Sequence, residues 1–194
     1  MKAVIATKYG GPDVLQVREV EKPTPQANEI LIRIHATTAT AAQGMMRTGR
    51  PYYGRLFTGL SKPKQSVPGT ELAGEVEAVG ATVTRFKPGD RVFGATDLDG
   101  GTYAEYIVLP EDDVLSIMPA GLSYAEAASI QDGTTTALHF LRDKAQIRPG
   151  QRVLINGASG SVGSAALRVA KYFGAHVTGV ASTRNLALVQ SLGA

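Results

Sequence analysis

The chain has 194 residues, no cysteine and a formal net charge of +3 at pH 7. The absence of cysteine excludes disulfides and thiolate chemistry, and it agrees with the reducing cytoplasm, which we predict as the location. Basic residues are scattered and seldom interleaved with aromatic ones, and no apolar run is long enough for a spanning helix, so we expect neither nucleic acid nor a membrane as partner.

The first 118 residues have the pattern of a β-rich domain. Short apolar and β-branched runs alternate with turns that contain glycine and proline. The predicted strands cover residues 3–7, 15–21, 29–36, 73–79, 91–93, 103–108 and 114–117. Several short strands at such close spacing favour a small barrel over a parallel sheet.

After Pro119 the pattern becomes helical. Ser123 with Glu126 three positions later forms a capping box, which predicts a helix start. A second helix is predicted over residues 134–144, before a turn with proline and glycine. We therefore predict an N-terminal domain over residues 1–122 and the start of a second domain over 123–194.

The most informative segment covers residues 152–185. An apolar strand, a turn with a glycine at every third position, a helix near 162–173 and a second apolar strand over 177–181 follow one another, and a last helix is predicted over 185–192. This order predicts a βαβ unit that binds a dinucleotide. Gly157 would permit the tight turn, Gly160 would admit the pyrophosphate, and Gly163 would let the helix pack closely. The predicted cofactor contacts in the turn are Gly157, Ala158, Ser159, Gly160, Ser161, Val162 and Gly163.

The residues after the second strand indicate which dinucleotide is bound. Ser182, Thr183 and Arg184 occupy the place where an acidic side chain would bind the ribose diol of NAD, and no acidic residue follows before Leu186. An arginine beside two hydroxyl groups suits the additional phosphate of NADP, so we predict NADPH as the cofactor. The alternative is a solvated arginine near a helix start capped by Asn185 or Thr183.

An ordered set of segments resembles the medium-chain dehydrogenase/reductase superfamily, and within it the zinc-independent quinone-oxidoreductase-like branch. These segments are VPGTELAGEV (67–76), VG (79–80), FKPGDRVFG (86–94), GTYAEY (101–106), TAL (136–138), RPGQRVLI (148–155) and the glycine turn. The resemblance implies a mixed fold class, with a GroES-like β-barrel domain followed by the first βαβα part of a Rossmann fold. Full members continue through further strands and helices, so we expect these residues to be part of a longer enzyme and not to hold the cofactor unaided. Members are commonly dimers or tetramers, which leaves a homo-oligomer open.

The sequence offers no metal site. Where zinc alcohol dehydrogenases of this superfamily have Gly-His-Glu, this chain has Gly69-Thr70-Glu71, and His35, His139 and His176 lie in unrelated segments. A catalytic zinc needs about three protein ligands. Without a Lewis acid, the interconversion of alcohol and ketone lacks its usual stabilisation of an alkoxide, so reduction of a quinone or an α,β-unsaturated carbonyl fits better.

By the same resemblance, three positions lie near the substrate. Thr40 stands where members often have asparagine, in a loop where Gln43 replaces a frequent aspartate. Tyr52 and Tyr53, in a long polar loop over residues 49–55, correspond to a tyrosine at the substrate mouth. Packing of a turn by Thr40 and an oligomer contact by the tyrosines are the alternatives.

One further position concerns the cofactor. Thr136 corresponds to a threonine that approaches the nicotinamide or its phosphate, and N-capping of a helix by Thr134 or Thr135 is the alternative explanation of this run. No catalytic residue is assigned, and Asp132 has no assigned function.

Together these features predict a metal-free oxidoreductase that transfers hydride from NADPH to a quinone or an enone. Two alternatives stay open. The first is a non-catalytic NADP-binding protein with a structural or regulatory role, because Thr40 and Gln43 depart from the family pattern. The second is a zinc-free enzyme similar to alcohol dehydrogenases.

Overall fold

The strands follow the order that the sequence predicts. The computed structural model describes residues 1–64, 66–96 and 100–194. Within these residues the strands are β1 (Lys2–Ala6), β2 (Leu15–Glu19), β3 (Glu29–Thr37), β4 (Glu71–Val79), β5 (Arg91–Ala95), β6 (Tyr106–Pro110), β7 (Leu115–Ile117), β8 (Arg152–Asn156) and β9 (His176–Val180). The start of β6 is later than predicted, because the amides of Thr102 and Tyr103 donate to the carbonyl oxygens of Gly69 and Pro68.

The described residues form five α-helices. They are α1 (Ala41–Thr48), α2 (Arg55–Thr58), α3 (Tyr124–Leu138), α4 (Ser161–Tyr172) and α5 (Leu186–Ser191). Short 3-10 turns lie at Pro12–Val14, Tyr52–Gly54 and Thr183–Asn185, and a π-helical stretch lies at His139–Lys144. No helix in the described part of the chain is long and apolar enough to cross a membrane.

Contacts divide the chain into two units, Met1–Ser129 and Ile130–Ala194. In the first unit, an antiparallel sheet has the strand order β6-β3-β4-β5-β7, and β1 pairs with β2 in a second sheet. Its core is aliphatic, and burial of each such side chain contributes about 1.5–3 kcal/mol. The fully buried members are Ile30, Ile32, Leu72, Val76 and Val92. The domain boundary at residue 122 stays a prediction.

The second unit contains the βαβ arrangement. Strands β8 and β9 are parallel neighbours, with Arg152 opposite His176 and Asn156 opposite Val180. Helix α4 joins them and buries Leu167 against the sheet, together with Ala166 and Ala170. The glycine turn therefore lies between the end of β8 and the start of α4.

Two local expectations were wrong. Residues 124–138 form one continuous helix, so Thr134 and Thr135 are interior residues and do not cap a second helix; the Thr135 hydroxyl donates to the carbonyl oxygen of Gln131 at 2.8 Å. The close approach of α3 to Ser161 requires glycine at position 133, because a Cβ there would lie only 2.8 Å from the carbonyl oxygen of Ser161.

The second error concerns residues 49–55, which do not form a long polar loop. The 3-10 turn Tyr52–Gly54 leads directly into α2. Pro51 precedes this turn with φ −65°, and the fixed φ of proline favours such a start.

The start of α3 is as predicted. The Ser123 hydroxyl accepts from the amide of Glu126 at 3.3 Å, and the Glu126 carboxylate accepts from the amide of Ser123 at 2.9 Å. Both bonds connect residues three positions apart, which is why the sequence alone predicts them.

Candidate cofactor and substrate sites

The three glycines of the turn have three different environments. Gly157 has φ +74°, which L side chains rarely adopt. A Cβ on Gly160 would lie 3.4 Å from the carbonyl oxygen of Gly157 and would otherwise face open space. A Cβ on Gly163 would collide with that same oxygen and lie 2.8 Å from the Cα of Ala158. Gly157 thus permits the turn, Gly160 leaves the approach to it open, and Gly163 allows close packing.

The first turn of α4 offers donors beside this opening. Gly160 is the N-cap residue, and no side chain among the described residues caps the helix. The first amides of a helix have no partner within it, and the helix dipole adds positive potential there, so this end attracts an anion. Ser161 and Val162 are exposed, whereas Ala158 is fully buried. The described residues therefore fit the pyrophosphate of a dinucleotide.

Asn185 connects the glycine turn to the segment after β9. Its Nδ2 donates to Ser159 Oγ at 2.9 Å. Because the serine oxygen accepts this bond, its hydroxyl hydrogen stays available for a phosphate oxygen. The sequence suggested Asn185 only as a helix cap, but its side chain makes no capping bond. The contact spans 26 positions, so no local pattern indicates it.

Arg184 lies in the 3-10 turn after β9, between Thr183 and Asn185. Ser182, Thr183 and Arg184 are all exposed. Among the residues that the structure describes, no carboxylate forms a salt bridge with Arg184. Its guanidinium is therefore accessible to an anionic ligand, and its predicted role toward NADP stays a prediction.

Thr136 lies inside α3 and is half-buried. Gly133 is three residues earlier and therefore on the same helix face, and this face approaches the start of α4 at Ser161. The predicted contact of Thr136 with the cofactor stays a prediction.

Thr40 is the N-cap residue of α1. Its Oγ accepts from the amide of Gln43 at 3.3 Å, and Gln43 Oε1 accepts from the amide of Thr40 at 3.1 Å, which completes a capping box. Threonine at this position therefore has a structural role, while its hydroxyl hydrogen stays available for an outside acceptor. Its substrate role stays a prediction.

Gln43 is buried at 6% exposure and connects three segments of the first unit. Its Oε1 also lies 2.5 Å from the Tyr103 hydroxyl, and its Nε2 donates to Thr70 Oγ at 3.1 Å. Gln43 and Thr70 line a cavity of about 350 Å³. The sequence does not indicate that Gln43, Thr70 and Tyr103 are in contact, because these bonds join residues 27 and 60 positions apart.

Burial raises the pKa of Tyr103 above its ordinary value, and the charge of Glu71 raises it further. We expect Tyr103 to ionise at a higher pH than the exposed tyrosines in a spectrophotometric titration of the seven tyrosines. The pKa of Tyr103 is higher in the folded than in the unfolded protein, so the protonated side chain stabilises the fold. This contribution is present in full below about pH 10, the ordinary pKa of tyrosine, and is lost as the pH rises through the folded-state pKa. The titration of Tyr103→Phe should lack this late component, and an unchanged profile would contradict the assignment.

Tyr52 and Tyr53 lie beyond the other end of α1. They are 63% and 73% exposed. Arg55 lies over the Tyr52 ring at 4.9 Å, and Tyr53 lines a separate pocket of about 290 Å³. That pocket is also lined by Ala42, in the first turn of α1. The substrate role of both tyrosines stays a prediction.

Two of the three histidines contact an aromatic or an acidic neighbour of their own. His35 stacks on Tyr124 with ring centroids 4.3 Å apart, and His139 lies 3.7 Å from Asp143. Residues 1–64, 66–96 and 100–194 contain no group of three histidine or acidic side chains that could hold a metal ion. The metal-free site stays a prediction.

The chain is similar in sequence and structure to several known oxidoreductases. Residues 26–119 match the Alcohol dehydrogenase GroES-like domain. The quinone oxidoreductase of Sus scrofa is 40% identical over 185 residues, which are 94% of this chain and 53% of that protein. The CurK enoyl reductase superposes with a TM-score of 0.88 and 31% identity, covering 99% of this chain and 57% of its own. Escherichia coli quinone oxidoreductase in complex with NADPH superposes with a TM-score of 0.85 and 32% identity. The match covers 100% of this chain and 57% of the Escherichia coli chain.

The chain belongs to the medium-chain dehydrogenase/reductase superfamily. Within it, the chain falls in the quinone-oxidoreductase-like branch and corresponds to the N-terminal part of those proteins. It spans about half the length of the curated relatives that it matches. The predicted GroES-like domain is confirmed, while closure of its strands into a barrel and the Rossmann assignment of the second unit stay predictions.

Proposed function

We propose that this chain is part of an NADPH-dependent oxidoreductase that reduces a quinone or an α,β-unsaturated carbonyl without a metal. The observation that carries the proposal is the glycine turn, where the lack of a Cβ at Gly160 leaves room for a pyrophosphate beside the uncapped start of α4. Similarity to a quinone oxidoreductase in complex with NADPH supports the choice of cofactor. Similarity to an enoyl reductase supports an enone as the second substrate class.

In this proposal the second unit is the start of a Rossmann domain, and its residues bind and orient the dinucleotide. The amides of Ser161 and Val162, at the start of α4, would donate to the pyrophosphate, together with the hydroxyl of Ser159. Arg184, which follows two exposed hydroxyl side chains, would pair with the additional phosphate. The predicted contact of Thr136 belongs to the same set.

When bound, NADPH supplies a hydride from its nicotinamide to the electrophilic carbon of the substrate. Negative charge then moves onto the carbonyl oxygen, where a hydrogen-bond donor of the protein would stabilise it. A proton from water would complete the reduction. The first unit would provide the substrate contacts, for which Thr40, Tyr52 and Tyr53 are the sequence-based candidates. Its remaining contribution is to orient the substrate and to exclude water.

The test is NADPH oxidation by the full-length protein after treatment with a chelator, measured with a quinone, an enone and a saturated ketone. We expect turnover with the first two substrates and none with the ketone. Loss of turnover after chelation would contradict the metal-free reaction, and turnover of the ketone alone would favour an enzyme similar to alcohol dehydrogenases. Tight NADPH binding without any turnover would favour the non-catalytic alternative. The cytoplasmic location and a homo-oligomeric state stay predictions.

A further inference from the structure

The cavity of the first unit has mostly apolar walls and a small number of polar groups. Met46, Leu56 and Phe57 contribute apolar surface. The polar and charged side chains of the lining are Gln43, Thr58, Thr70, Arg47 and Lys64. Among the described residues that line it, none is acidic. Its volume of about 350 Å³ lies in the usual range of small-molecule sites, which combine apolar walls with few polar groups.

The orientation of the Gln43 amide follows from one unambiguous donor. The backbone N–H of Thr40 can only donate, and it lies 3.1 Å from the amide atom of Gln43 that must therefore be the oxygen. The Tyr103 hydroxyl lies 2.5 Å from the same oxygen and 2.9 Å from the carbonyl oxygen of Thr38, so its one hydrogen is shared between two acceptors. The amide nitrogen of Gln43 consequently faces Thr70.

This orientation determines the role of the Thr70 hydroxyl. An amide NH₂ group only donates, so Thr70 Oγ accepts the 3.1 Å bond from Gln43 Nε2. A hydroxyl has one hydrogen to donate, and among the described residues Thr70 Oγ takes part only in the bond that it accepts from Gln43 Nε2. Thr70 thus presents a donor whose oxygen is held in place by a buried amide.

Thr58 also lines the cavity, but its hydroxyl hydrogen is donated within the protein. The Tyr9 hydroxyl donates to the carbonyl oxygen of Gly59 at 2.6 Å, so the 2.9 Å contact between Tyr9 and Thr58 uses the Thr58 hydrogen. The carbonyl oxygen of Gly54 lies 3.3 Å from the Thr58 hydroxyl as a second internal acceptor. The Thr58 hydrogen is therefore bound within the protein, unlike that of Thr70.

We propose that the Thr70 hydroxyl donates a hydrogen bond to the carbonyl oxygen of a planar quinone or enone bound in this cavity. The inference rests on the proposed function for its substrate class. Gln43, fixed by Thr40 and Tyr103, acts as the positioning residue, since it directs the hydroxyl of Thr70 away from itself. A donor at this oxygen stabilises the negative charge that develops there during reduction.

The first experiment compares menadione, a naphthoquinone, with methylnaphthalene, which has the same ring system and no carbonyl, by equilibrium binding to the full-length protein. Thr70→Val keeps the shape of the side chain and removes the donor. We expect it to weaken menadione binding roughly 10-fold, the effect of one hydrogen bond, and to leave methylnaphthalene binding nearly unchanged. Thr70→Ser should keep the affinity for menadione, and Thr82→Val, which removes an exposed hydroxyl bonded to Ala27, serves as the matched control.

The outcomes separate this inference from the proposed function. Equal menadione affinity of wild type and Thr70→Val, or no binding of menadione at all, would overturn the inference even if NADPH oxidation with a quinone is observed. A selective loss in Thr70→Val would support it even if the wild type shows no turnover. Should Thr70→Val not fold, infrared spectroscopy of menadione bound to the wild type decides the question. We expect a carbonyl stretch below its value in an aprotic solvent, and an unshifted stretch would refute the bond.

Discussion

Gly160→Ala is expected to weaken NADPH binding about 10- to 100-fold and to leave the fold intact. The added methyl group would enter the open space beside the turn, 3.4 Å from the carbonyl oxygen of Gly157, where the pyrophosphate must approach. Gly160 has φ −79° and is the N-cap of α4, so alanine fits its backbone conformation, and the lost capping preference costs about 1 kcal/mol. Fluorescence titration with NADPH and thermal unfolding measure the two effects separately.

The matched control is Gly163→Ala in the same turn. Its methyl group would press against backbone atoms of Gly157 and Ala158, so α4 and the turn must move apart. Overpacking of this kind costs about 1–3 kcal/mol, and we expect both the unfolding temperature and NADPH affinity to fall. Unchanged NADPH affinity in Gly160→Ala would show that the open side of the turn is not a pyrophosphate site.

Arg184→Ala is expected to weaken NADPH binding about 10- to 100-fold, because charge-assisted hydrogen bonds contribute about 1.5–3 kcal/mol. NADH lacks the phosphate, so its affinity should stay nearly the same. Arg168→Ala serves as the control, since Arg168 is an exposed arginine on α4 in the same unit. Competition titrations with both dinucleotides measure the ratio of the NADPH affinity to the NADH affinity in each variant.

Equal losses for NADPH and NADH in Arg184→Ala would contradict the assignment of this residue to the phosphate. A loss in Arg168→Ala as large as that in Arg184→Ala would assign the effect to the overall positive charge of the unit. The contact of Arg184 is solvent-exposed, so the preference for NADPH should also decline as the salt concentration rises.

The fold of the second unit was predictable because its signals are local. The strand before the turn, the glycines at every third position and the helix after it each occupy a few adjacent residues, and the structure reproduces their order. The capping box of Ser123 and Glu126 is of the same kind. Each of these signals occupies a short run of adjacent residues, whereas the pairing of β8 with β9 joins residues that are distant in the sequence.

The continuity of α3 could not be predicted in this way. Gly133 and the threonines that follow it have the pattern of a helix break and a new cap. The structure continues the helix because the glycine lets α3 approach Ser161, and Thr135 satisfies its hydroxyl at the carbonyl oxygen of Gln131 within the same helix. A contact with another element outweighed the local preference of these residues.

The sequence by itself determined the βαβ unit, the glycine turn and the absence of cysteine chemistry, since these depend on residue type and short spacing. Only the tertiary structure placed Gln43 between Tyr103 and Thr70 and Asn185 against Ser159. These bonds join residues 26 to 60 positions apart, and their partners are selected by the pairing of strands and the packing of helices. A hydrogen bond over such a distance leaves no periodic trace in the sequence, because its two ends belong to different local patterns.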